Sequence, residues 1–380
     1  MPPIRSNDTI KTILNYIKKE TVLFISLLLA LASAAFVPPD NGYLSYIDFH
    51  TLTILLSLMI VMAGLRSLGI FSGIGRWMLE RTSSVRSLAL VLVMLCFGFS
   101  MFITNDVALI VFVPFAIDVL SIACLENYLI RVIVLQTIGA NLGSMFTPIG
   151  NPQNLYLFSR SGMGMNGFIS LMLPYTLLSF VGLTAACVML KGRKAVTVKV
   201  YPNRALTAPD KRKTAAYILM FLLALISVAG AIPVYVVGAV ILTAVILMDK
   251  RVLRDPDYAL LLTFMFLFVF IGNMKRIPEI NEWLRGVIRD NEILTSVLAS
   301  QVISNVPAAI LLSGFTDNIP QLIIGTNLGG LGTIIASMAS LISFKYYGKA
   351  ADKRIGAYLG VFTLLNLIFL AMLLLLNYFV

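Results

Sequence analysis

Charge is scarce in this sequence. Asp, Glu, Lys and Arg make up 12% of its 380 residues, against 59% apolar ones. With a mean hydropathy of +0.92, that scarcity excludes an ordinary water-soluble domain. Histidine is represented by His50 alone, and no HExxH or GxGD string occurs, which removes most metal-dependent and aspartyl intramembrane chemistry. Cysteine is limited to Cys96, Cys124 and Cys187; isolated and without metal-type spacing, they read as small packing residues. Acid is the scarcer sign, 18 acidic residues against 29 basic ones. A net charge of +11 would suggest nucleic acid in a soluble chain. Here the partner is the lipid bilayer, because Lys and Arg gather in the cytoplasmic loops of membrane proteins.

What the chain has in quantity is apolar runs of the length an α-helix needs to cross a bilayer. The fold class is therefore all-α and polytopic; a membrane barrel would show weak alternation instead. Residues 9–19 read as a short amphipathic interfacial helix. The run 21–37, with Ala32-Ser33-Ala34, imitates a secretory signal but is expected to be kept as a span. Further spans are expected at about 50–65, 167–190, 214–230, 233–248, 258–273 and 355–379. Basic residues and Trp77 place 65–82 at the interface, Asp249–Asp257 reads as a short loop, and 274–290 carries Trp283. The runs 87–121 and 291–316 read as re-entrant helical hairpins, and 131–157 and 320–344 as broken spans.

These segments repeat. Val61–Gly64 matches Val269–Gly272, Ile103-Thr-Asn105 matches Ile303-Ser-Asn305, and Asn141-Leu-Gly143 with Thr147 matches Asn327-Leu-Gly329 with Thr333. The chain divides into an N-terminal repeat (1–190), a basic loop with a linking span (191–231) and a C-terminal repeat (232–380). The linking span has no counterpart, so the second repeat is inverted. With the N-terminus cytoplasmic and the C-terminus external, 24 of the 29 basic residues fall inside, as the positive-inside rule asks. The exceptions are Arg160 and four residues in 275–289.

The breaks carry the polar residues. Unpaired backbone at membrane depth is tolerated only where it is buried in protein or lines a wet cavity, and paired breaks at the midplane of inverted repeats are how many secondary transporters bind their cargo. The candidate substrate- and ion-binding residues are Thr104, Asn105 and Asp106 at the first tip and Ser304 and Asn305 at the second. Asn141, Gly143, Ser144, Thr147, Gly150, Asn151 and Asn154 line the first broken span. Asn327, Gly329, Gly330 and Thr333, followed by Gly332, Ser337 and Ser340, line the second. Amide, hydroxyl and carbonyl oxygens suit a hard cation, so Na⁺ is a candidate at Asn105, Asp106, Ser304 and Asn305. Free helix N-termini suit an anion. Asp106 is the acid deepest in an apolar run beside a break; carboxylates removed from water favour the protonated form, which suits a proton carrier or a cation ligand. The alternatives are that Asp106 caps the outgoing helix and that the small residues are helix-packing positions.

Asn105-Asp106, the string Asn141-Leu-Gly-Ser-Met-Phe-Thr-Pro-Ile-Gly-Asn-Pro-Gln-Asn154 and Ser304-Asn305-Val-Pro-Ala308 resemble the ion transporter superfamily. Its members include arsenite permeases, D-type sodium/proton antiporters, citrate permeases and divalent anion/sodium symporters. The likeness spans nearly the whole chain and is nearest the branch with Asn-Asp at the first tip; the symporters carry Ser-Asn-Thr at both. It implies a homodimer whose transport part moves as a body against a scaffold. The resulting expectation is an H⁺- or Na⁺-coupled carrier of a small anion or oxyanion in the inner membrane, without a cofactor and not an enzyme. A sodium/proton antiporter is the first alternative and an ion channel a distant one.

Overall fold

A computed structural model describes residues 20–71, 73, 74, 82, 84–190, 210–350 and 353–379. The interfacial helix expected at 9–19, Trp77 and the stretch 191–209 lie outside these residues. The described residues form seventeen α-helices and no β-strand. Six of the helices are long and apolar enough to cross a membrane.

In the first repeat, α1 (Thr21–Phe36) leads through the short α2 (Tyr43–Tyr46) to α3 (Phe49–Ser67). The first hairpin is α4 (Val85–Ile103) and α5 (Asn105–Ile122), and the first broken span is α6 (Leu129–Ser144) and α7 (Pro152–Ser161). After α8 (Met165–Val188), α9 (Lys211–Val228) is the linking span. The second repeat runs α10 (Val234–Asp249), α11 (Tyr258–Lys275), the surface helix α12 (Pro278–Ile288) and the hairpin α13 (Glu292–Ile303) and α14 (Asn305–Leu312). It ends with the broken span α15 (Ile319–Leu328) and α16 (Met338–Tyr347), then α17 (Ile355–Leu376). The stretch Asp249–Asp257, read as a loop, contains a 3₁₀ turn over Lys250–Arg254, and residues 38–49 contain α2.

Local chemistry sets the helix starts, and it does so in matched pairs. Asp48 and Asp257 precede α3 and α11, each accepting a hydrogen bond from the backbone N–H three residues on. Asn151 and Ser337 cap α7 and α16, accepting from Asn154 N three residues on and from Ala339 N two residues on. Such caps satisfy donors that a helix start otherwise leaves open. Pro152 follows its cap at a position where the missing N–H costs nothing.

The repeats are antiparallel. Arg66, at the end of α3, pairs with Asp255 just before α11 at 3.7 Å. Arg276, just past α11, pairs with Asp40 on the stretch leading into α3 at 2.7 Å. Each helix therefore ends where the other begins. The five crossings from α3 to α10 (α3, α6–α7, α8, α9 and α10) give the same inversion by parity.

Packing is crosswise between the repeats. α1 lies along α11 and α10 along α3; α7 packs on α14 and α15, and α16 on α5 and α6. The Asn273 side chain of α11 donates to Ser33 Oγ and to Tyr43 Oη, both at 2.9 Å. The segment that imitates a cleavage site is thus locked into the fold. Two matched glycines receive tyrosines: a Cβ at Gly64 would lie 2.0 Å from the Tyr217 ring, and one at Gly272 2.3 Å from the Tyr46 ring.

Candidate functional site

The two hairpins turn in the same way. Thr104 has φ 71° and ψ 152°, and Ser304 has φ 70° and ψ 154°. This is backbone that favours glycine, and a side chain held there stores roughly 1–3 kcal/mol of strain. Each following residue donates its backbone N–H into the break of the same repeat: Asn105 N to Gly150 O at 3.1 Å, and Asn305 N to Ala336 O at 2.9 Å. Gly150 and Ala336 differ by 186 in number, the same offset as Asn141 and Asn327. The repeat read from sequence is therefore a repeat of backbone geometry at the two tips.

The breaks meet through side-chain amides. Asn141 Oδ1 accepts from Asn105 Nδ2 at 3.2 Å and from Ser337 Oγ of the other repeat at 3.0 Å. Its Nδ2 reaches Gly330 O at 3.4 Å. Asn327 mirrors it: Oδ1 accepts from Asn151 Nδ2 at 3.0 Å, and Nδ2 donates to Asn154 Oδ1 at 2.6 Å. Asn151 also donates to Ser144 Oγ at 3.2 Å. Asn154 Nδ2 caps the carbonyls of Ser144, Met145 and Thr147 at 3.4, 3.4 and 3.2 Å. Buried polar groups are tolerated when paired in this way, and the seam couples the two repeats at their breaks.

The remaining predicted residues divide by role. Gly143 and Gly329 are close-packing positions: a Cβ would lie 2.0 Å from Phe97 O at the first and 2.5 Å from Ser300 Oγ at the second. They bring the broken spans against the hairpins and leave no room for a side chain. Gly150 lies as tightly against Ser144 O. Thr147 donates through its hydroxyl to Met101 O. Gly330 abuts the Asn305 amide. Ser304 Oγ turns back to Ala336 O at 3.4 Å. Asn305 and Ser304 are 4% and 3% exposed and Asn105 is 5% exposed, so the asparagines of both tips are buried.

The first tip has the more room. Thr104, Asp106 and Asn151 line a cavity of about 170 Å³ between α3, α5, the start of α7, the start of α11 and α16. Asp106 sits in the first turn of α5, and its Oδ1 is buried without a hydrogen-bond partner. Arg66, Asp255 and Asp257 line the same space, with Arg66 already paired to Asp255. The wall is therefore net acidic. A small void beyond Asp257 and Met338 touches Ser304 and Val306, so Asp257 stands between the two tips.

Reading the sequence alone missed Asp257 and Gln301. Asp257 presents itself there as a helix cap at the end of a loop, which it also is. Gln301 is one amide in an apolar run, three residues before Ser304, and that proximity to the tip was its signal. Its side chain spans Val297 O, Gly329 O and Leu331 O.

Known proteins share this arrangement of sequence. The chain is similar to the inner membrane protein YbiR of Escherichia coli K12, 32% identical over 87% of each chain. It is 31% identical to an uncharacterized transporter, MJ0456, of Methanocaldococcus jannaschii, over 92% of this chain and 95% of that one. A shorter likeness, 32% identical over 139 residues (36% of this chain and 28% of the relative), links it to the silicon efflux transporter LSI3 of rice, Oryza sativa. Residues 13–322 match the citrate transporter family, CitMHS. Six span-length apolar helices and this match make the chain a multi-pass membrane transporter, and it belongs to the citrate transporter family.

Proposed function

We propose that the protein is an ion-coupled secondary transporter of a small anion or oxyanion. Its coupling cation, H⁺ or Na⁺, would be taken at the first hairpin tip. The observation that carries this reading is the unequal room at the two tips. Thr104 and Asp106 face a cavity of about 170 Å³, Ser304 and Asn305 are buried, and the two breaks are hydrogen-bonded across the repeats. A site built from two inverted halves, one with more room than the other, is compatible with one end of an alternating-access cycle. Asn105 and the amide seam would hold substrate, and the buried Oδ1 of Asp106 would take the cation. In the elevator reading, hairpins and broken spans move together against α3 and α11. A homodimer in the plasma membrane, N-terminus inside and C-terminus outside, completes it; the inner-membrane location of the bacterial relative agrees.

Cation/proton antiport is the second reading, favoured by the acidity of the wall. Three carboxylates (Asp106, Asp255 and Asp257) face the cavity against the single guanidinium of Arg66. A multiply charged anion would enter that space only together with cations.

Proton flux in proteoliposomes with a trapped pH dye separates the two. Na⁺, Li⁺, citrate, arsenite and silicic acid are added in turn to wild type and to Asp106→Asn. A response to citrate or an oxyacid, uncoupled from protons or Na⁺ by Asp106→Asn, is the expected result. Proton movement driven by Na⁺ or Li⁺ alone and abolished in the variant would replace the anion reading with antiport. Flux that neither saturates nor couples would replace both with a channel.

A further inference from the structure

The two half-sites cap the carbonyls of their breaks with different side chains, and the difference is chemical. In the second repeat, Gln301 Nε2 lies 3.1, 3.0 and 2.9 Å from Val297 O, Gly329 O and Leu331 O. A primary amide has two hydrogens to give, so three carbonyl oxygens crowd one nitrogen. Several inward-facing carbonyls are the surroundings in which a dehydrated cation is held. The amide is held in this orientation because Gln301 Oε1 accepts from Thr333 N at 2.8 Å, while Thr333 Oγ1 donates to the backbone O of Gln301 at 3.3 Å. Gly332 makes the room: its φ is 109°, and a Cβ there would stand 2.4 Å from Gln301 Oε1. Asn141 takes the carbonyl in between, Gly330 O.

The first repeat keeps only the threonine bond, from Thr147 to Met101 O. At the matching positions stand Met101 and Phe146, which offer no polar side chain. Its carbonyls are capped from the far side of the break by Asn154, at 3.2–3.4 Å. Its tip opens to the cavity beside a carboxylate.

We propose that the Gln301 amide is a built-in stand-in for a cation in the second half-site, so that a coupling cation binds at the first tip alone and one cation moves per cycle. The inference rests on the coupled-transport reading above for its meaning in the cycle. The competition between Gln301 and a cation does not depend on that reading.

The test is thermal unfolding of the full chain in nanodiscs, with NaCl, LiCl or KCl titrated against choline chloride at constant ionic strength. Gln301→Glu places an anionic oxygen against Gly329 O and Leu331 O, which a cation can bridge; Gln301→Ala frees the carbonyls without adding charge. Wild type should respond as one site at most, with any response removed by Asp106→Asn. At least one Gln301 variant should gain a further site, about doubling the rise in Tm per tenfold cation once both sites are filling. Variants that both respond as wild type does overturn the proposal. So does a wild type that titrates as two sites and loses one in Asn305→Ala. A wild type indifferent to every cation, with Gln301→Glu responding, would remove Na⁺ coupling and leave the stand-in established.

Discussion

Asn327 holds three partners at once: Asn151 Nδ2, Asn154 Oδ1 and Ile323 O. Truncation to alanine would orphan a buried acceptor on Asn154 and a donor on Asn151, at about 1–3 kcal/mol for each group left unpaired. Asn327→Ala should therefore lower Tm well below that of a surface substitution, and transport should fall with it. Gly143 supports a sharper comparison. Gly143→Ala would push a methyl to 2.0 Å from Phe97 O, whereas nothing lies within 4 Å of a Cβ at Gly98 on the same hairpin. The first should cost about 1–3 kcal/mol by overpacking and the second should be neutral or stabilising, since alanine is the better helix former. Equal melting curves for the two would refute the close-packing role. At this scale the sequence was uneven. It exposed Asn105, Asn141, Asn151 and Asn327, because amides in apolar runs stand out. It left open whether Gly143 and Gly329 pack or bind, since a glycine looks the same in both roles.

The hairpins bear the next prediction. Thr104 and Ser304 sit in strained backbone, so Thr104→Gly and Ser304→Gly should each raise stability. Relief of about 1–3 kcal/mol outweighs the roughly 0.5–1 kcal/mol that glycine loses in chain entropy. A lowered Tm in both would mean the tips are not strained. The breaks were legible because Pro148, Gly150 and Pro152 cannot continue a helix at depth. Less legible was the size of the hairpins: the first has arms of 19 and 18 residues, the second of 12 and 8. Hydropathy alone reads the long arms as two crossings and the short pair as one. α12 is a third kind of element, too short to span. It has Ile288 buried, Ile280 and Leu284 partly covered, and Trp283 and Val287 exposed. An exposed tryptophan on an amphipathic helix continuous with a span belongs at the headgroup level. In a Trp77→Phe background, lipids brominated near the headgroup should quench Trp283 fluorescence more strongly than lipids brominated near the chain end.

Across the whole molecule, two ion pairs fasten the ends of α3 and α11. At the end away from the cavity, the hydrogen bond from Arg276 holds the Asp40 carboxyl below the usual carboxylate range. Its contribution is complete above the ordinary Asp pKa and fades as pH falls through the depressed value. Asp40→Asn should thus narrow the stability difference between neutral and strongly acidic pH, measured by thermal unfolding at both; an unchanged difference would leave the pair without weight. Inversion was legible from the unpaired linking span. Crosswise packing was not, because hydropathy ranks how apolar a helix is and says nothing of which helix it meets. That packing reaches back to the ribosome. The surface α1 needs is on α11, which begins more than 230 residues later, and at about 5–20 residues per second it is not made for tens of seconds. Through that interval Ser33 waits in the membrane without the amide of Asn273. α1 can therefore be seated only after α11 has been made, with α12–α17 still to follow.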